Sequence, residues 1–272
     1  MPATNGCVEG SSAVSFFRVL ADDTRLAILR LLAPGDLRVR ELVERLGLPA
    51  NAISYHLRQL RSVGLLRDRR SSVDARDVYY SLDLDKLHQL YLSAGGEVHP
   101  GISPRSDQGS VPAEQDRPLR VLFLCTYNSA RSQLAEGIMR HLAGDAVEVY
   151  SAGSEVSEVH LLTIQLLREW DIDTTLHYSK TMDRFLGEKF DYVITTCDRA
   201  RESCPFFPGD PRRIHWSFPD PKAVQDPEEQ LRAFQKTRAE LCTRIRYLLN
   251  LPHPESGRSV VVQLHDVPTG RA

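Results

Sequence analysis

The stretch RPLRVLFLCTYNSARSQLAEGIMRHL, residues 117–142, constrains the fold more than any other part of the chain. Its apolar run, Val121 to Leu124, predicts a buried strand that ends at Cys125. A short polar loop then separates this strand from an amphipathic helix that begins near Arg131. A buried strand, a loop and a helix in this order indicate one unit of an α/β domain.

The segments that follow repeat this alternation through residues 118–250. Strand-like segments are RVLFLC, VEVYSAG, FDYVITTC and RIHWSF. Helix-like segments are SARSQLAEGIMRHLAG, EVHLLTIQLLREW and PEEQLRAFQKTRAELCTRIRYLLN. Short apolar strands alternating with amphipathic helices predict an α/β domain with a four-stranded parallel sheet.

Composition divides the chain into two predicted domains. Residues 94–117 are rich in Gly, Ser, Pro and charged residues, so they cannot bury a core and predict a flexible linker. The linker separates a domain at residues 1–93 from the α/β domain at residues 118–250. Residues 251–272 form a tail with one strand-like run, SVVVQLH. A chain of 272 residues is long enough for two modest domains.

Hydropathy and cysteine content predict a cytoplasmic protein with reduced thiols. No apolar run approaches the ~18 residues of a membrane span, and the N-terminus lacks the basic start and apolar core of a secretory signal. The five cysteines therefore suggest catalysis, redox or metal chemistry more than structural disulfides. The net charge of −2 limits any nucleic-acid-binding surface to a local patch.

The loop between Cys125 and Arg131 has the features of an oxyanion site. Backbone amides at a helix N-terminus bind a tetrahedral oxyanion, and Arg131 can hold two of its oxygens. The predicted oxyanion-binding residues are Thr126, Tyr127, Asn128, Ser129, Ala130 and Arg131. The same field favours a thiolate at Cys125, to which Ser132 can donate a hydrogen bond, so Cys125 is the predicted nucleophile. In the alternative interpretation, Cys125 is a small buried residue and Arg131 a surface residue.

The motif VLFLCTYNSARSQLAEG followed by VYSAG resembles the low-molecular-weight tyrosine phosphatase fold, and more closely its arsenate reductase branch. The resemblance covers roughly residues 118–250. It implies that Cys125 is the nucleophile, that Arg131 binds the oxyanion, and that Asp220, in the pair Asp220-Pro221, is the general acid. The alternative for Asp220 is a turn residue before proline.

Two further cysteines, Cys197 and Cys204 in TTCDRARESCP, favour a reductase over a phosphatase. A reductase that draws electrons from thiols needs more than one thiol, because two electrons leave as a disulfide. The resemblance extends to this spacing, which thioredoxin-coupled arsenate reductases share. It implies a relay in which Cys125 attacks arsenate, Cys197 attacks Cys125 and releases arsenite, and Cys204 takes over the disulfide. Thioredoxin or a similar thiol reductant would then reduce the disulfide, and neither a metal nor an organic cofactor is needed.

The chain departs from the family pattern at the loop and after the Asp-Pro pair. Tyr127 and Ala130 replace residues that are often Gly and Cys, and Tyr127 is expected to crowd the loop mouth or to change the backbone angle there. Lys222 and Ala223 follow Asp220-Pro221 where the phosphatase branch usually has tyrosines, which disfavours phosphotyrosine as substrate.

Some reductases of this branch bind potassium near the loop, and three residues here fit that pattern: Asn128, Glu136 and Ser151. Lys180, however, occupies a position where an acidic ligand is expected. No metal ion is therefore predicted.

The segment before the linker has the pattern of a winged helix-turn-helix. RVRELVERLGL and LPANAISYHLRQLRSVGLL predict two helices joined by a tight turn, the second of which enters the major groove. RDRRSSVDARDVYYSL predicts a β-hairpin wing with arginines available to phosphates. The predicted DNA-binding residues are Asn51, Ser54, Tyr55, His56, Arg58, Arg69 and Arg70.

LADDTRLAILRLL and ISYHLRQLRSVGLL resemble the ArsR-type winged-helix repressors. The resemblance implies operator DNA as a partner and a homodimer formed through the N-terminal domain. Arsenite-sensing members often carry a cysteine pair before the recognition helix, whereas the corresponding DLRVRELVE has no thiol and Cys7 is the only cysteine of this domain. In the alternative interpretation, this is a small helical domain with a solvated basic face.

The combined prediction is an arsenic-resistance protein in which a DNA-binding regulator is fused to an arsenate reductase. Two alternatives stay open at this point. In the first, the second half is a phosphatase fused to a repressor. In the second, it binds an oxyanion as a signal without turnover.

Overall fold

The computed structural model of the chain describes residues 12–98 and 117–250. The chain divides into two compact units, one made of residues 1–69 and 77–109 and the other of residues 70–76 and 110–272. Cys7, the tail at residues 251–272 and most of the predicted linker lie outside the described residues.

The first part of the chain forms five helices and three strands among the described residues. They are α1 (Ser12–Leu20), α2 (Asp23–Leu32), β1 (Leu37–Arg38), α3 (Val39–Leu46), α4 (Ala50–Ser62), β2 (Leu66–Arg70), β3 (Val78–Leu82) and α5 (Leu84–Val98). The strands lie in the order β1-β3-β2, with β1 antiparallel to β3. The predicted winged helix-turn-helix fold is confirmed.

Local chemistry sets the turn between α3 and α4. Helix α3 ends at Gly47, whose positive φ of 65° suits a residue without a Cβ. Pro49 then caps α4 with extended backbone. Leu42 on α3 and Ile53 and Leu57 on α4 are almost fully buried in the core of this unit, so the two helices pack through their apolar faces.

Helix α5 continues to Val98, five residues into the segment for which the sequence predicted a linker. Ala94 explains part of this extension, because it is 1% exposed and belongs to the hydrophobic core of the first unit. Residues 94–98, AGGEV, therefore form the last turn of a helix although their composition is typical of a linker.

The second part of the chain is an α/β layer structure. Its elements are β4 (Leu119–Cys125), α6 (Arg131–Ala143), β5 (Val147–Gly153), α7 (Leu161–Arg168), β6 (Tyr192–Thr195), α8 (Asp198–Glu202), β7 (Arg212–His215) and α9 (Pro227–Leu249). The four strands pair in parallel in the order β5-β4-β6-β7. The predicted four-stranded parallel sheet is confirmed.

Alternate residues of β4 enter two different cores. Val121 and Phe123 join the cluster that contains side chains of α6, α7 and α9, including the buried Cys242. Leu122 and Leu124 join the second cluster, on the other face, which also contains Cys125. Because β4 is buried on both faces and pairs with a strand on each edge, its C-terminal end is held firmly.

No helix in the described ranges is both long enough and apolar enough to span a membrane.

Candidate active site

The candidate active site begins where β4 ends. Cys125 closes the strand and α6 begins at Arg131, so the loop between them lies at the C-terminal edge of the parallel sheet and at the N-terminus of a helix. The amide of Asn128 donates a hydrogen bond to Cys125 Sγ at 3.2 Å, and Ser132 Oγ lies 2.9 Å from the same sulfur. Cys125 is 2% exposed. The sulfur therefore has one backbone amide and one hydroxyl within hydrogen-bond distance.

Asn128 gives the loop its shape. Its φ of 46° lies in the left-handed region, which Asn tolerates better than most residues. Its Oδ1 accepts a hydrogen bond from the Lys180 amide at 2.7 Å, which leaves Nδ2 to donate to Ser132 Oγ at 3.0 Å and to Ser151 Oγ at 2.7 Å. Because Ser132 Oγ accepts from Asn128, its proton is available for Cys125.

Tyr127, for which a changed backbone angle was expected, does not adopt a positive φ. The left-handed position of the loop is the next residue, Asn128. Tyr127 instead lines the loop mouth with its half-buried side chain, as the expectation of crowding suggested.

Gln133 fastens the loop to the segment before the 3-10 helix Met182–Phe185. Its Nε2 donates to the Asn128 carbonyl at 3.2 Å and to the Tyr178 carbonyl at 2.8 Å. Its Oε1 lies 2.7 Å from His177 Nδ1, and burial lowers the pKa of His177. The imidazole is therefore neutral near pH 7 and donates from Nδ1 to Gln133.

A cluster of charged side chains, in which Glu136 and Lys180 are buried, adjoins Asn128 through Ser151. Ser151 Oγ donates to Glu136 Oε2 at 2.5 Å, and Lys180 Nζ lies 3.3 Å from the same oxygen. Arg140 Nη2 lies 2.6 Å from Glu136 Oε1. The two cations that contact Glu136 are thus protein side chains, Lys180 and Arg140. In the part of the chain that the structure describes, no group of three or more His, Cys, Asp or Glu side chains is arranged to hold a metal ion.

Gly153 allows β5 to approach the loop. It pairs with Cys125 at the ends of the two strands. A Cβ on Gly153 would lie 2.6 Å from the carbonyl oxygens of Thr126 and Glu155 and 2.8 Å from the Asn128 amide. Only glycine therefore fits at this position without displacement of the loop.

The Arg131 guanidinium keeps donors for a ligand after its contacts with the protein. Its Nη1 donates to the Phe218 carbonyl at 3.1 Å, and its Nη2 lies 3.5 Å from Asp220 Oδ2. Its Nε is buried without a hydrogen-bond partner among the described residues. A buried guanidinium N–H beside a cysteine sulfur is suited to an anion.

Asp220 lies at the start of the 3-10 helix Pro221–Ala223. Its Oδ1 accepts a hydrogen bond from the Lys222 amide at 3.2 Å, and about a third of its side chain is exposed. Together with Cys125 and Arg131 it lines one cavity of about 10 Å³. The other lining residues are Tyr127, Ser129, Ala130 and Lys222.

The other two predicted relay cysteines belong to the same hydrophobic cluster as Cys125. Cys197 is 3% exposed, its Sγ lies 3.3 Å from Thr126 Oγ1, and it accepts from the Ala200 amide at the start of α8. Cys204 is partly buried against the cluster. The chain therefore brings three thiols to one side of the sheet, in the reduced form.

Burial raises the pKa of the Cys197 thiol above its ordinary value, and the opposing effect of the Arg131 guanidinium is smaller. The nearby Cys125 adds to the rise. Burial also raises the pKa of Cys204, against a smaller lowering by Arg213. Both thiols are therefore predominantly protonated near neutral pH.

A buried polar group with no signal in the sequence supports α8. Asp198 is fully buried, and its Oδ1 accepts a hydrogen bond from Ser217 Oγ at 2.7 Å and lies 3.2 Å from His215 Nε2. His215 Nδ1 in turn lies 2.8 Å from Thr195 Oγ1. The segment after Cys197 therefore begins as a short anchored helix. The polar letters DRARES carried no sign that Asp198 has partners beyond residue 210.

The predicted DNA-binding residues lie on α4 and β2. Asn51, Tyr55 and Arg58 are exposed, and Ser54 is half-buried. His56 is 15% exposed and its Nδ1 lies 3.6 Å from Asp22 Oδ1, which caps α2, so this side chain is engaged within its own unit. Arg69 is half-buried and Arg70 exposed on β2.

Comparisons with known proteins match both parts of the chain. Residues 120–256 match the family described as low molecular weight phosphotyrosine protein phosphatase, and residues 22–68 match the family described as bacterial regulatory protein, arsR family. Arsenate reductases from Oceanobacillus iheyensis and Halalkalibacterium halodurans are each 41% identical over 127 residues, which is 46% of this chain and 91% of the relative. A solved thioredoxin-dependent arsenate reductase from Corynebacterium glutamicum is 25% identical and covers 82% of this chain and 94% of its own, with a TM-score of 0.38.

Proposed function

Because the chain belongs to the low molecular weight phosphotyrosine protein phosphatase family, with an arsR-family helix-turn-helix in front, we propose that it is an arsenate reductase fused to a DNA-binding transcriptional regulator. The observation that carries the enzymatic half is the position of three reduced cysteines in one cluster. Cys125 lies in the donor-lined loop, and Cys197 and Cys204 lie in the same hydrophobic cluster. A phosphatase needs the first of these thiols, whereas a thiol-driven reductase needs more than one.

In the first step the Cys125 thiolate attacks the arsenic atom of arsenate. The loop amides and Arg131 hold the oxyanion, and Ser132 and the Asn128 amide stabilise the sulfur before attack. A sulfur–arsenic bond forms and one arsenic–oxygen bond breaks. The departing oxygen leaves as water, with one proton from Asp220 and one from the substrate.

In the second step the Cys197 sulfur attacks Cys125 Sγ. A Cys125–Cys197 disulfide forms, and the sulfur–arsenic bond breaks with its electron pair on arsenic. Arsenic(V) thus becomes arsenic(III), which leaves as arsenite, while the two sulfurs are oxidised by two electrons in total. The contact between Cys197 and Thr126, a loop residue, supports this pairing.

In the third step Cys204 attacks Cys197 Sγ and frees the Cys125 thiolate. The resulting Cys197–Cys204 disulfide is then reduced by an external dithiol of the thioredoxin type, which supplies the two electrons of the cycle. Cys204 is the most exposed of the three thiols, which fits its role as the exit.

The regulatory half binds operator DNA through α4 and β2. Asn51, Tyr55 and Arg58 are exposed on α4 and lie outside the core of the first unit. Side chains on the outward face of a recognition helix contact bases. Arg69 and Arg70 contact the backbone phosphates. The unit binds a two-fold site as a homodimer.

The test of the reductase is a single turnover of the reduced full chain with arsenate, followed by alkylation and mass mapping of the cysteines. The expected product is arsenite with a Cys197–Cys204 disulfide. Cys197→Ser is expected to stop with arsenic on Cys125, and Cys242→Ala, which removes a core cysteine outside the relay, is expected to retain the full sequence of steps.

Two results would contradict the proposal. Sustained hydrolysis of a phosphate ester by Cys197→Ser, without arsenite from the unchanged chain, would identify a phosphatase. Arsenate binding without arsenite formation, in the presence of a thioredoxin system, would leave a regulator that senses an oxyanion.

A further inference from the structure

Lys222 places an ammonium group at the mouth of the catalytic loop. Its Nζ lies 3.4 Å from Ser129 Oγ and 5.3 Å from the centroid of the Tyr127 ring. The distance to the ring is that of a cation–π contact. The lysine side chain is half-buried and lines the same cavity as Cys125 and Arg131.

The backbone of Lys222 is fixed by the residue proposed as the general acid. Its amide donates to Asp220 Oδ1, and Pro221 between them restricts the chain. The Ser129 hydroxyl accepts a hydrogen bond from the Lys222 ammonium. It donates its own proton to the Glu158 carbonyl at 2.8 Å, which fixes its orientation. The backbone amide and the ammonium group of Lys222 therefore both have defined partners.

The charge balance of the mouth depends on Lys222. Arg131 and Lys222 supply two positive charges to the cavity lining, and Cys125 and Asp220 supply two negative charges when both are ionised. Without Lys222, Arg131 would be the only cationic side chain of this lining. His160, which lies within electrostatic range, does not replace it, because burial and then the charge of Lys222 lower the pKa of this imidazole and keep it neutral near pH 7.

We infer that Lys222 is a second oxyanion-binding cation of this site, seated by Tyr127 and Ser129, and that the pair Arg131–Lys222 selects a small, doubly charged tetrahedral oxyanion. The inference rests on the proposed function in that both concern the same loop. It assigns to Tyr127, which replaces a residue that is often glycine in the family, the role of a platform for the ammonium group.

The cavity is too small for a tetrahedral oxyanion while Lys222 contacts Ser129. Its volume of about 10 Å³ is about that needed by one water molecule. An oxyanion enters when the Lys222 ammonium swings outward from Ser129, and the ammonium then pairs with one oxygen while Arg131 holds others. Because Lys222 remains partly in contact with solvent, this attraction weakens as salt rises.

The test measures binding of inorganic phosphate, a tetrahedral anion that is not reduced, to the reduced full chain by calorimetry. Lys222→Met is expected to weaken phosphate binding roughly tenfold and to flatten its salt dependence. Lys222→Arg keeps the charge and is expected to stay within about threefold of the unchanged chain. Lys236→Met removes the same charge from an exposed site on α9 that does not line the cavity, and its affinity is expected to stay unchanged.

A second variant tests the platform. Tyr127→Leu keeps an apolar side chain but removes the ring, and it is expected to weaken phosphate binding by roughly threefold, in line with the loss of a cation–π contact. Phosphate binding by Lys222→Met within twofold of the unchanged chain would overturn the inference, as would an equal loss in Lys236→Met.

The inference and the proposed function can fail separately. If Lys222→Met loses phosphate while the unchanged chain produces no arsenite, the cation site stands and the reductase does not. If arsenite is produced and phosphate binding does not depend on Lys222, the reductase stands and the inference fails. If the unchanged chain neither binds phosphate nor produces arsenite, both are overturned.

Discussion

Asn128 shows how one residue can set the geometry of the catalytic loop. Its backbone adopts a left-handed conformation, and its side-chain amide connects Ser132, Ser151 and the Lys180 amide. The sequence suggested this residue only as a loop amide and as part of a potassium pattern. Its two structural properties can be separated by substitution.

Asn128→Gly keeps the left-handed conformation but removes the amide, whereas Asn128→Ala removes both. Both variants are expected to lower kcat/KM for arsenate by roughly 10- to 100-fold, because Ser132 is no longer directed at the thiolate. Asn128→Ala is expected to lose about 1–2 kcal/mol more in free energy of unfolding, from backbone strain. Arsenate turnover and urea unfolding measure the two effects, and unchanged turnover in Asn128→Gly would refute the role of the amide.

The raised pKa of Cys197 predicts the pH dependence of the second step. The Cys197 thiol must lose its proton before its sulfur can attack Cys125 Sγ. Because its pKa is raised, the neutral thiol persists to higher pH than in an ordinary cysteine. Formation of the Cys125–Cys197 disulfide is therefore expected to accelerate about tenfold per pH unit between about pH 6 and pH 8. Rapid-quench alkylation of Cys204→Ser, which stops at this disulfide, measures the rate.

Thr126→Val provides a matched control for that pH profile. The hydrogen bond from Thr126 lowers the pKa of Cys197, so its removal is expected to shift the profile of the second step to higher pH. A rate of disulfide formation that does not change between about pH 6 and pH 8 would contradict both the order of steps and the buried, protonated state of Cys197.

At the scale of elements, strands and helices with clear periodicity were predictable, and long-range polar contacts were not. VEVYSAG matches β5 (Val147–Gly153), and RVLFLC identified the strand that ends at Cys125. The strand predicted from RIHWSF is shorter, since β7 ends at His215. At and just beyond this end, His215 Nε2 lies near Asp198 Oδ1 and Ser217 Oγ donates to the same oxygen. Such partners lie far apart in sequence and have no periodic signature, which is why the anchoring of α8 and the position of Lys222 required the structure.

Gly153 gives a prediction at the junction of two elements. Gly153→Ala would place a Cβ 2.6 Å from two carbonyl oxygens, one of which is in the catalytic loop. We expect a loss of about 2–4 kcal/mol in free energy of unfolding and of most arsenate turnover, because backbone atoms must move. Gly187→Ala in the same unit meets nothing within 4 Å and is expected to leave both unchanged. Equal behaviour of the two variants would show that the strand end tolerates a Cβ.

At the scale of the whole molecule, the described apolar residues form separate cores for the two proposed activities. One cluster draws its buried side chains from residues 13–94, and the other two draw theirs from residues 119–249. Each unit therefore has the interior needed to hold its own functional surface, α4 in the first and the thiol loop in the second. Because each core is formed within one unit, damage to one core is expected to affect one activity.

This separation is tested by two matched leucine substitutions. Leu57 on α4 is 1% exposed in the first core, and Leu142 on α6 is fully buried in the second. Changing either to Ala removes three buried carbons and is expected to cost about 2–5 kcal/mol in its own unit. Leu57→Ala is expected to weaken DNA binding while arsenate turnover persists. Leu142→Ala is expected to lower arsenate turnover while DNA binding persists. DNA titration and arsenite formation, at a temperature near the unfolding midpoint of the variant, measure the two activities. Leu161→Ala, at an 84% exposed site, is the control and is expected to change stability by no more than about 0.5 kcal/mol. Loss of both activities in both variants would mean that the two cores are energetically one, and that regulation and reduction depend on a single cooperative fold.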